Sequence, residues 1–115
     1  MVKKAEQMRH ELKERMRGGD GTVELVHILE GGEYKGKARL FAKIILQPGC
    51  SIGAHIHEGE EEIFYLLRGK ASFMDGETEK RLLPGDAAVT LGGEGHSIAN
   101  KGQETVELMA VILTY

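Results

Sequence analysis

The 115-residue sequence predicts an all-β fold, an antiparallel barrel or a double-sheet jelly roll, preceded by one N-terminal helix. Short stretches rich in valine, isoleucine, leucine and threonine recur along residues 21–115, and no helical pattern separates them. Glycine, aspartate and asparagine fill the connections, and both prolines lie in Pro-Gly pairs that are typical of tight turns. We therefore expect residues 1–20 to form the helix and its connection, and residues 21–115 to form the barrel domain.

The predicted helix covers residues 3–17, which are rich in charged side chains. Its apolar residues follow one another at spacings of three and four: Ala5, Met8, Leu12 and Met16. This spacing is typical of a narrow apolar stripe along one side of a helix. Gly18 follows at once, as is common just past a helix end. We expect the stripe to pack on the barrel or on a neighbouring subunit.

Nine further stretches have the length and composition of β-strands. In chain order they cover residues 22–30, 37–47, 51–57, 62–68, 70–74, 78–83, 87–91, 96–100 and 105–115. Asp75-Gly76 predicts a tight hairpin turn between the fifth and the sixth of them. The last stretch is apolar on both faces, so one face can fill the barrel while the other needs cover. That second face favours a homodimer.

Composition narrows the classes of partner and the compartment. The formal net charge of −3 gives no reason to expect nucleic acid as a partner. No apolar run approaches the roughly 20 residues that span a bilayer, so no membrane is expected either. The single cysteine, Cys50, cannot form an internal disulfide, which favours a reducing cytoplasm. The expected partners are a small-molecule ligand or substrate and a second copy of the chain.

Two histidines near the middle of the chain point to a metal site. His55 and His57 are two residues apart, and residues i and i+2 of a strand face the same side of a sheet. A carboxylate from the next predicted strand, Glu61 or Glu62, could join them. Imidazoles together with a carboxylate suit a divalent first-row transition metal.

The spacing around these histidines extends over a longer motif. From Gly49 the chain has five residues before His55, one before His57, four before Glu62 and six before Gly69. This pattern resembles the first motif of the cupin superfamily at every defined position.

A second pattern follows 15 residues later. From Gly85 the chain has seven residues before Gly93, two before His96 and three before Asn100. This resembles the second cupin motif, with one departure, since Leu91 stands where the family usually has a proline. The proline shapes a turn and binds no metal, so the departure bears on loop geometry.

The resemblance implies a jelly-roll barrel of the double-stranded β-helix type that holds one divalent metal, such as manganese, iron, nickel or zinc. Carried over to this sequence, its ligands are His55, His57, Glu62 and His96. Glu61 competes with Glu62 for the carboxylate position. The six-residue spacing to Gly69 favours Glu62.

Resemblance to the superfamily leaves three functions open. The first is a metal-dependent enzyme of the dioxygenase, decarboxylase, isomerase or lyase type that acts on a small polar metabolite. The second is a non-catalytic module that uses the metal to capture a small carboxylate or a sugar. The third is a structural barrel in which the metal only joins strands. Fold alone does not choose among them.

Two further residues are candidates for catalysis near the metal. Tyr65 could donate a proton. Glu58, Glu60 and Glu61 form an acidic loop beside the predicted ligands, and one of them, with Glu61 as the candidate, could act as an acid or a base. Arg39 could offset the acidic loop if its side chain points inward. His10 and His27 have no paired ligand nearby in sequence, and we expect them to be ordinary surface or core histidines.

Overall fold

The computed structural model describes residues 1–115 and is built from ten strands in two antiparallel sheets. The strands are β1 (Arg9–Glu14), β2 (Thr22–His27), β3 (Ala38–Leu46), β4 (Ser51–Ile56), β5 (Glu60–Arg68), β6 (Ala71–Asp75), β7 (Thr78–Leu82), β8 (Ala87–Thr90), β9 (Gly95–Ala99) and β10 (Val106–Thr114). The structure contains no helix long and apolar enough to cross a lipid bilayer. The all-β jelly roll expected from the sequence is confirmed. All nine predicted strands are present, with ends that differ by at most three residues.

The order of the strands explains how the barrel closes. The larger sheet runs β1-β2-β3-β10-β5-β8, and the smaller one runs β4-β9-β6-β7. Buried and more exposed side chains alternate along β10 and β5, so each strand turns one face to the core. The core is a cluster of 14 buried residues from both sheets, including Leu66 and Leu108, which are fully buried.

The N-terminal helix predicted over residues 3–17 is wrong. The segment instead holds β1 between two single-turn 3-10 elements, Ala5–Gln7 and Met16–Gly18. β1 pairs with β2 along its whole length, so it is an edge strand of the larger sheet. The N-terminal residues therefore extend the barrel sheet.

Two effects favour the strand over the helix. The open edge of β2 offers backbone partners that a short isolated helix lacks. Polar side chains also pair across the two strands: His10 Nδ1 lies 2.7 Å from Glu24 Oε2, and His27 Nε2 lies 2.8 Å from Glu11 Oε1. The apolar spacing was misleading, since Leu12 is 69% exposed on the outer side of β1.

An apolar patch covers the outer face of the larger sheet. Tyr65 and Leu67 alternate along β5 with buried residues, and both are exposed. Val89 on β8 is exposed beside them, and it pairs in register with Ile63, which is partly exposed. We call Ile63, Tyr65, Leu67 and Val89 the outer patch, and no other part of the same chain fully covers it.

Candidate metal centre

Four side chains from both sheets converge at one point inside the barrel. His55 on β4 and His96 on β9 are cross-strand partners in the smaller sheet. His57 follows directly after β4, while Glu62 comes from β5 of the larger sheet. One ligand atom from each of the four lies within 4.8 Å of the others. The sequence motif therefore describes residues that the fold brings together.

The distances show how tightly these atoms are grouped. The three histidine Nε2 atoms form a triangle with sides of 3.1, 3.2 and 3.2 Å. Glu62 Oε1 lies 2.9 Å from His57 Nε2 and 3.1 Å from His96 Nε2. His57, Glu62 and His96 are buried, and His55 is partly exposed. Three nitrogen donors and one carboxylate oxygen that face one point form a donor set that fits a divalent transition metal.

Each imidazole is fixed through its other nitrogen. All three Nδ1 atoms have an oxygen partner, which leaves every Nε2 directed at the common point. The pairs are His55 with the Gly53 carbonyl oxygen (2.8 Å), His57 with Glu60 Oε2 (2.6 Å) and His96 with Thr90 Oγ1 (2.7 Å). An oxygen that accepts the Nδ1 proton selects the tautomer whose Nε2 lone pair can bind a metal.

Glu60 connects His57 of the donor group to Arg39, which lines the neighbouring cavity. Arg39 donates two hydrogen bonds of 2.7 Å to the Glu60 carboxylate. This pairing with Arg39 lowers the pKa of Glu60 to about 2, and the bond from His57 acts in the same direction. Glu60 is therefore an anion at neutral pH and accepts the His57 Nδ1 proton. The sequence showed Glu60 only as part of an acidic loop, and no signal in the sequence assigned it this contact.

Replacing Glu60 with alanine tests this supporting contact. We expect the variant to bind metal about 10- to 100-fold more weakly, because His57 loses the acceptor that fixes its tautomer. Glu58→Ala is the matched control, since Glu58 is exposed and lies two residues before Glu60, in the loop that leads into β5. Metal affinity is measured by competition with a chelating dye. Equal affinities for Glu60→Ala and Glu58→Ala would show that the contact does not support the site.

Burial and nearby charges keep His55 in its neutral form. Burial lowers the pKa of His55, and the neighbouring His96, His57 and Arg17 charges lower it further. The bond to the Gly53 carbonyl acts in the opposite direction but does not reverse the shift. A neutral imidazole at pH 7 is the form that binds metal, so this side chain is ready to act as a ligand.

Aromatic side chains form the inner wall beside His96. The Phe64 ring stacks on the His96 ring with centroids 5.2 Å apart and planes 11° from parallel. Phe73 meets both rings edge to face, 5.7 Å from His96 and 6.1 Å from Phe64. Phe64 and Phe73 both belong to the core, so packing of the barrel interior fixes the position of the ligand ring.

A cavity of about 580 Å³ opens from the cluster toward the N-terminal segment of the chain, residues 11–17. His55, His57 and Glu62 line its inner end. Apolar side chains such as Leu25 and Ile44 form part of its wall. The outer rim carries several charged residues of the N-terminal segment, including Lys13, Glu14, Arg15 and Arg17. The site is therefore reachable by a small polar molecule.

The two residues predicted to act in catalysis do not join this group. Glu61 and Tyr65 alternate with Glu62 along β5, so their side chains project to the opposite face. Tyr65 is 45% exposed, and neither residue lines the cavity. The geometry favours Glu62 over Glu61 for the carboxylate position, and it offers no contact that supports a catalytic role for Glu61 or Tyr65.

Other residues singled out from the sequence have structural contacts. His27 is held by Glu11, and its ring lies on the cavity wall. Asn100 is buried and donates hydrogen bonds of 2.8 Å to the carbonyl oxygens of Leu46 and Glu104. Asn100 therefore holds the turn before β10.

The jelly-roll fold and these four side chains define a class, the small β-barrels with a candidate site for one metal ion. A family comparison agrees, because residues 42–112 match the model of the cupin domain family. The chain belongs to the cupin family.

Comparisons of sequence and of structure both give a match from Thermotoga maritima over nearly the whole chain. An oxalate-binding protein is 43% identical over 113 residues, which cover 98% of this chain and 93% of that protein. The crystal structure of a predicted oxalate decarboxylase is also 43% identical, with a TM-score of 0.94 and full coverage of both chains. A Thermus thermophilus protein, TT1209, is 29% identical, with a TM-score of 0.65 over 71% of this chain and 78% of its own.

Proposed function

We propose that the protein binds a small carboxylate, with oxalate as the first candidate, at a divalent transition metal. Convergence of His55, His57, Glu62 and His96 at the inner end of an accessible cavity carries this proposal. The name of the oxalate-binding relative supports the choice of ligand. The same donor set accepts manganese, iron, nickel or zinc, and geometry alone does not choose among them.

The bound metal and the side chains of the cavity would contribute differently to ligand binding. Bound metal supplies a Lewis acid with coordination positions left for oxygen ligands. The four side chains would hold it, and apolar side chains such as Leu25 and Ile44 form part of the wall against which the ligand would lie. At about 580 Å³ the cavity falls within the ordinary size range of small-ligand pockets.

Calorimetric titration of oxalate tests the proposal. Protein loaded with Mn²⁺ is expected to bind oxalate, and the same protein stripped with a chelator is expected to lose that binding. His96→Ala serves as a matched control, because it removes one ligand from the cluster while leaving the cavity open. Equal oxalate affinity with and without Mn²⁺ would contradict the proposal.

Decarboxylation of oxalate is the second candidate. It is favoured by the close structural match to a predicted oxalate decarboxylase, and by two titratable residues of the cavity, His27 and Glu11. Cleavage of the carbon–carbon bond of hydrogen oxalate would give formate and carbon dioxide, with the acid proton moving from oxygen to the carbon of formate. Carbon-13 NMR of labelled oxalate with Mn²⁺-loaded protein separates the two functions. Formate beyond one equivalent per chain indicates an enzyme, whereas unchanged oxalate indicates a binding module.

The outer patch supports a homodimer as a further proposal. Ile63, Tyr65, Leu67 and Val89 place apolar side chains side by side on a sheet face that a single chain leaves open. Light scattering after size exclusion should give twice the 12.6 kDa mass of the chain. Val89→Asp should shift the mass to that of one chain, since a buried unpaired charge opposes association. A wild-type monomer at micromolar concentration would contradict the dimer.

A cytoplasmic location stays a prediction from the sequence.

A further inference from the structure

Three basic side chains at the cavity rim have no ion-pair partner. Lys13, Arg15 and Arg17 line the cavity, and none of them forms a salt bridge. The fourth basic residue of the lining, Arg39, is already held by Glu60. Unpaired cationic side chains therefore surround the position at which a ligand would enter or bind.

The acidic residues of the same cavity do not cancel this charge. Glu11 forms a salt bridge of 3.8 Å with Arg9, which does not line the cavity, and Glu62 belongs to the donor group, where its charge would be offset by the proposed metal. Glu14 is the one carboxylate of the lining without a salt bridge. Three unpaired cations and one unpaired anion along the rim favour a negatively charged ligand. A divalent metal ion at the donor cluster would strengthen this preference.

The backbone holds the two arginines in place by an unusual local conformation. Arg15 has φ 49° and Arg17 has φ 54°, and they are the only residues other than glycine with positive φ in the chain. Such conformations persist where surrounding contacts fix them, and they cluster at functional sites. Here the Arg15 amide donates to the Gly21 carbonyl at 2.8 Å, and the Gly18 amide donates to the Arg15 carbonyl at 2.9 Å.

The segment of residues 15–20 also packs against β4, the strand that carries the proposed ligand His55. The Arg17 carbonyl packs so closely against Gly53 that a Cβ atom at position 53 would overlap it. The Gly53 carbonyl in turn accepts the hydrogen bond from His55 Nδ1. The Ser51 amide donates a hydrogen bond of 2.9 Å to the Asp20 carbonyl, which holds the end of the segment against β4. The position of Arg17 is therefore set relative to the donor cluster.

We propose that Arg17, with Arg15 beside it, is a specificity-determining residue that binds carboxylate oxygens directed away from the metal and so selects dicarboxylates over monoanions. This inference rests on the proposed function, since it concerns the ligand of the same site. A guanidinium group suits the task, because its planar set of N–H donors matches the two oxygens of a carboxylate. No other unpaired arginine lines the cavity.

Substitution by glycine separates this role from a structural one. Glycine adopts positive φ without strain, so Arg17→Gly and Arg15→Gly remove the guanidinium groups while keeping the backbone conformation. Arg17→Lys keeps the charge and removes the planar donor set. Arg81→Ala is the charge control, because Arg81 is exposed on β7 and does not line this cavity.

The experiment compares oxalate with oxamate, in which an amide replaces one carboxylate of the same shape. Affinities of both are measured by calorimetric titration of each Mn²⁺-loaded variant, together with Mn²⁺ affinity and melting temperature. We expect Arg17→Gly to weaken oxalate binding by about tenfold or more and to reduce the preference for oxalate over oxamate. Arg15→Gly and Arg17→Lys should show smaller losses in the same direction. Mn²⁺ affinity should stay within about twofold of the wild type in all of them.

The outcomes distinguish failure of this inference from failure of the proposed function. Should wild-type protein bind oxalate while Arg17→Gly and Arg15→Gly match Arg81→Ala in affinity and in preference, the inference is overturned and the proposed function stands. A wild-type protein that binds Mn²⁺ but neither oxalate nor oxamate would overturn both. Loss of Mn²⁺ binding in Arg17→Gly would assign the residue to the metal site and also overturn the inference.

Discussion

Replacing Glu62 with glutamine is expected to lower metal affinity by about 100-fold or more, because the site loses its one anionic ligand. Glu62 is buried, and its Oε1 atom faces His57 and His96 at 2.9 and 3.1 Å. A neutral amide of the same shape leaves the divalent charge without a carboxylate in a buried site. Metal content after dialysis, measured by mass spectrometry, should fall close to zero.

Glu61→Gln is the matched control for this change. Glu61 is the preceding residue and carries the same side chain, but it faces the opposite side of β5. The variant should keep wild-type metal content. The opposite result, with metal lost from Glu61→Gln and kept by Glu62→Gln, would mean that the carboxylate was assigned to the wrong residue.

Replacing Phe64 with alanine is expected to lower the free energy of unfolding by about 3–5 kcal/mol. The ring is buried between His96 and Phe73, so its loss leaves a cavity in the core. Metal affinity should fall as well, because the His96 ring loses the surface on which it stacks. Denaturant unfolding in the presence of a chelator measures the change in stability without a contribution from bound metal.

A graded pair of variants controls this second prediction. Phe64→Leu keeps most of the buried volume and should lose less stability than Phe64→Ala. Leu12→Ala removes a large apolar side chain that is exposed at the sheet edge, and should change stability by no more than about 0.5 kcal/mol. Equal losses for Phe64→Ala and Leu12→Ala would contradict the view that packing around Phe64 supports the site.

Much of the barrel could be predicted because its signals are local. Alternation of apolar side chains and turn pairs such as Asp75-Gly76 depend on residues close in sequence, and they located nine strands. The donor group was predictable for another reason, because the chain resembles both cupin motifs, and that resemblance assigns the ligand roles to residues of three separate strands. The structure then showed His55 and His96 to be direct cross-strand partners.

The N-terminal segment shows where local signals fail. Met8, Leu12 and Met16 have helical spacing, yet the open edge of β2, a tertiary feature, decides the conformation. The left-handed turns at Arg15 and Arg17 depend on contact with β4, so no local pattern indicates that arginines reach the cavity. Contacts such as Glu60 with His57 likewise depend on side-chain geometry across the site.

Whether four side chains hold one metal ion is best tested by a crystal structure of Mn²⁺-loaded protein with anomalous scattering. We expect a single strong anomalous peak at bonding distance, about 2.0–2.3 Å, from the three histidine Nε2 atoms and a Glu62 oxygen. A fully loaded crystal with no peak between His55, His57, Glu62 and His96, or with the ion bound elsewhere on the chain, would contradict it.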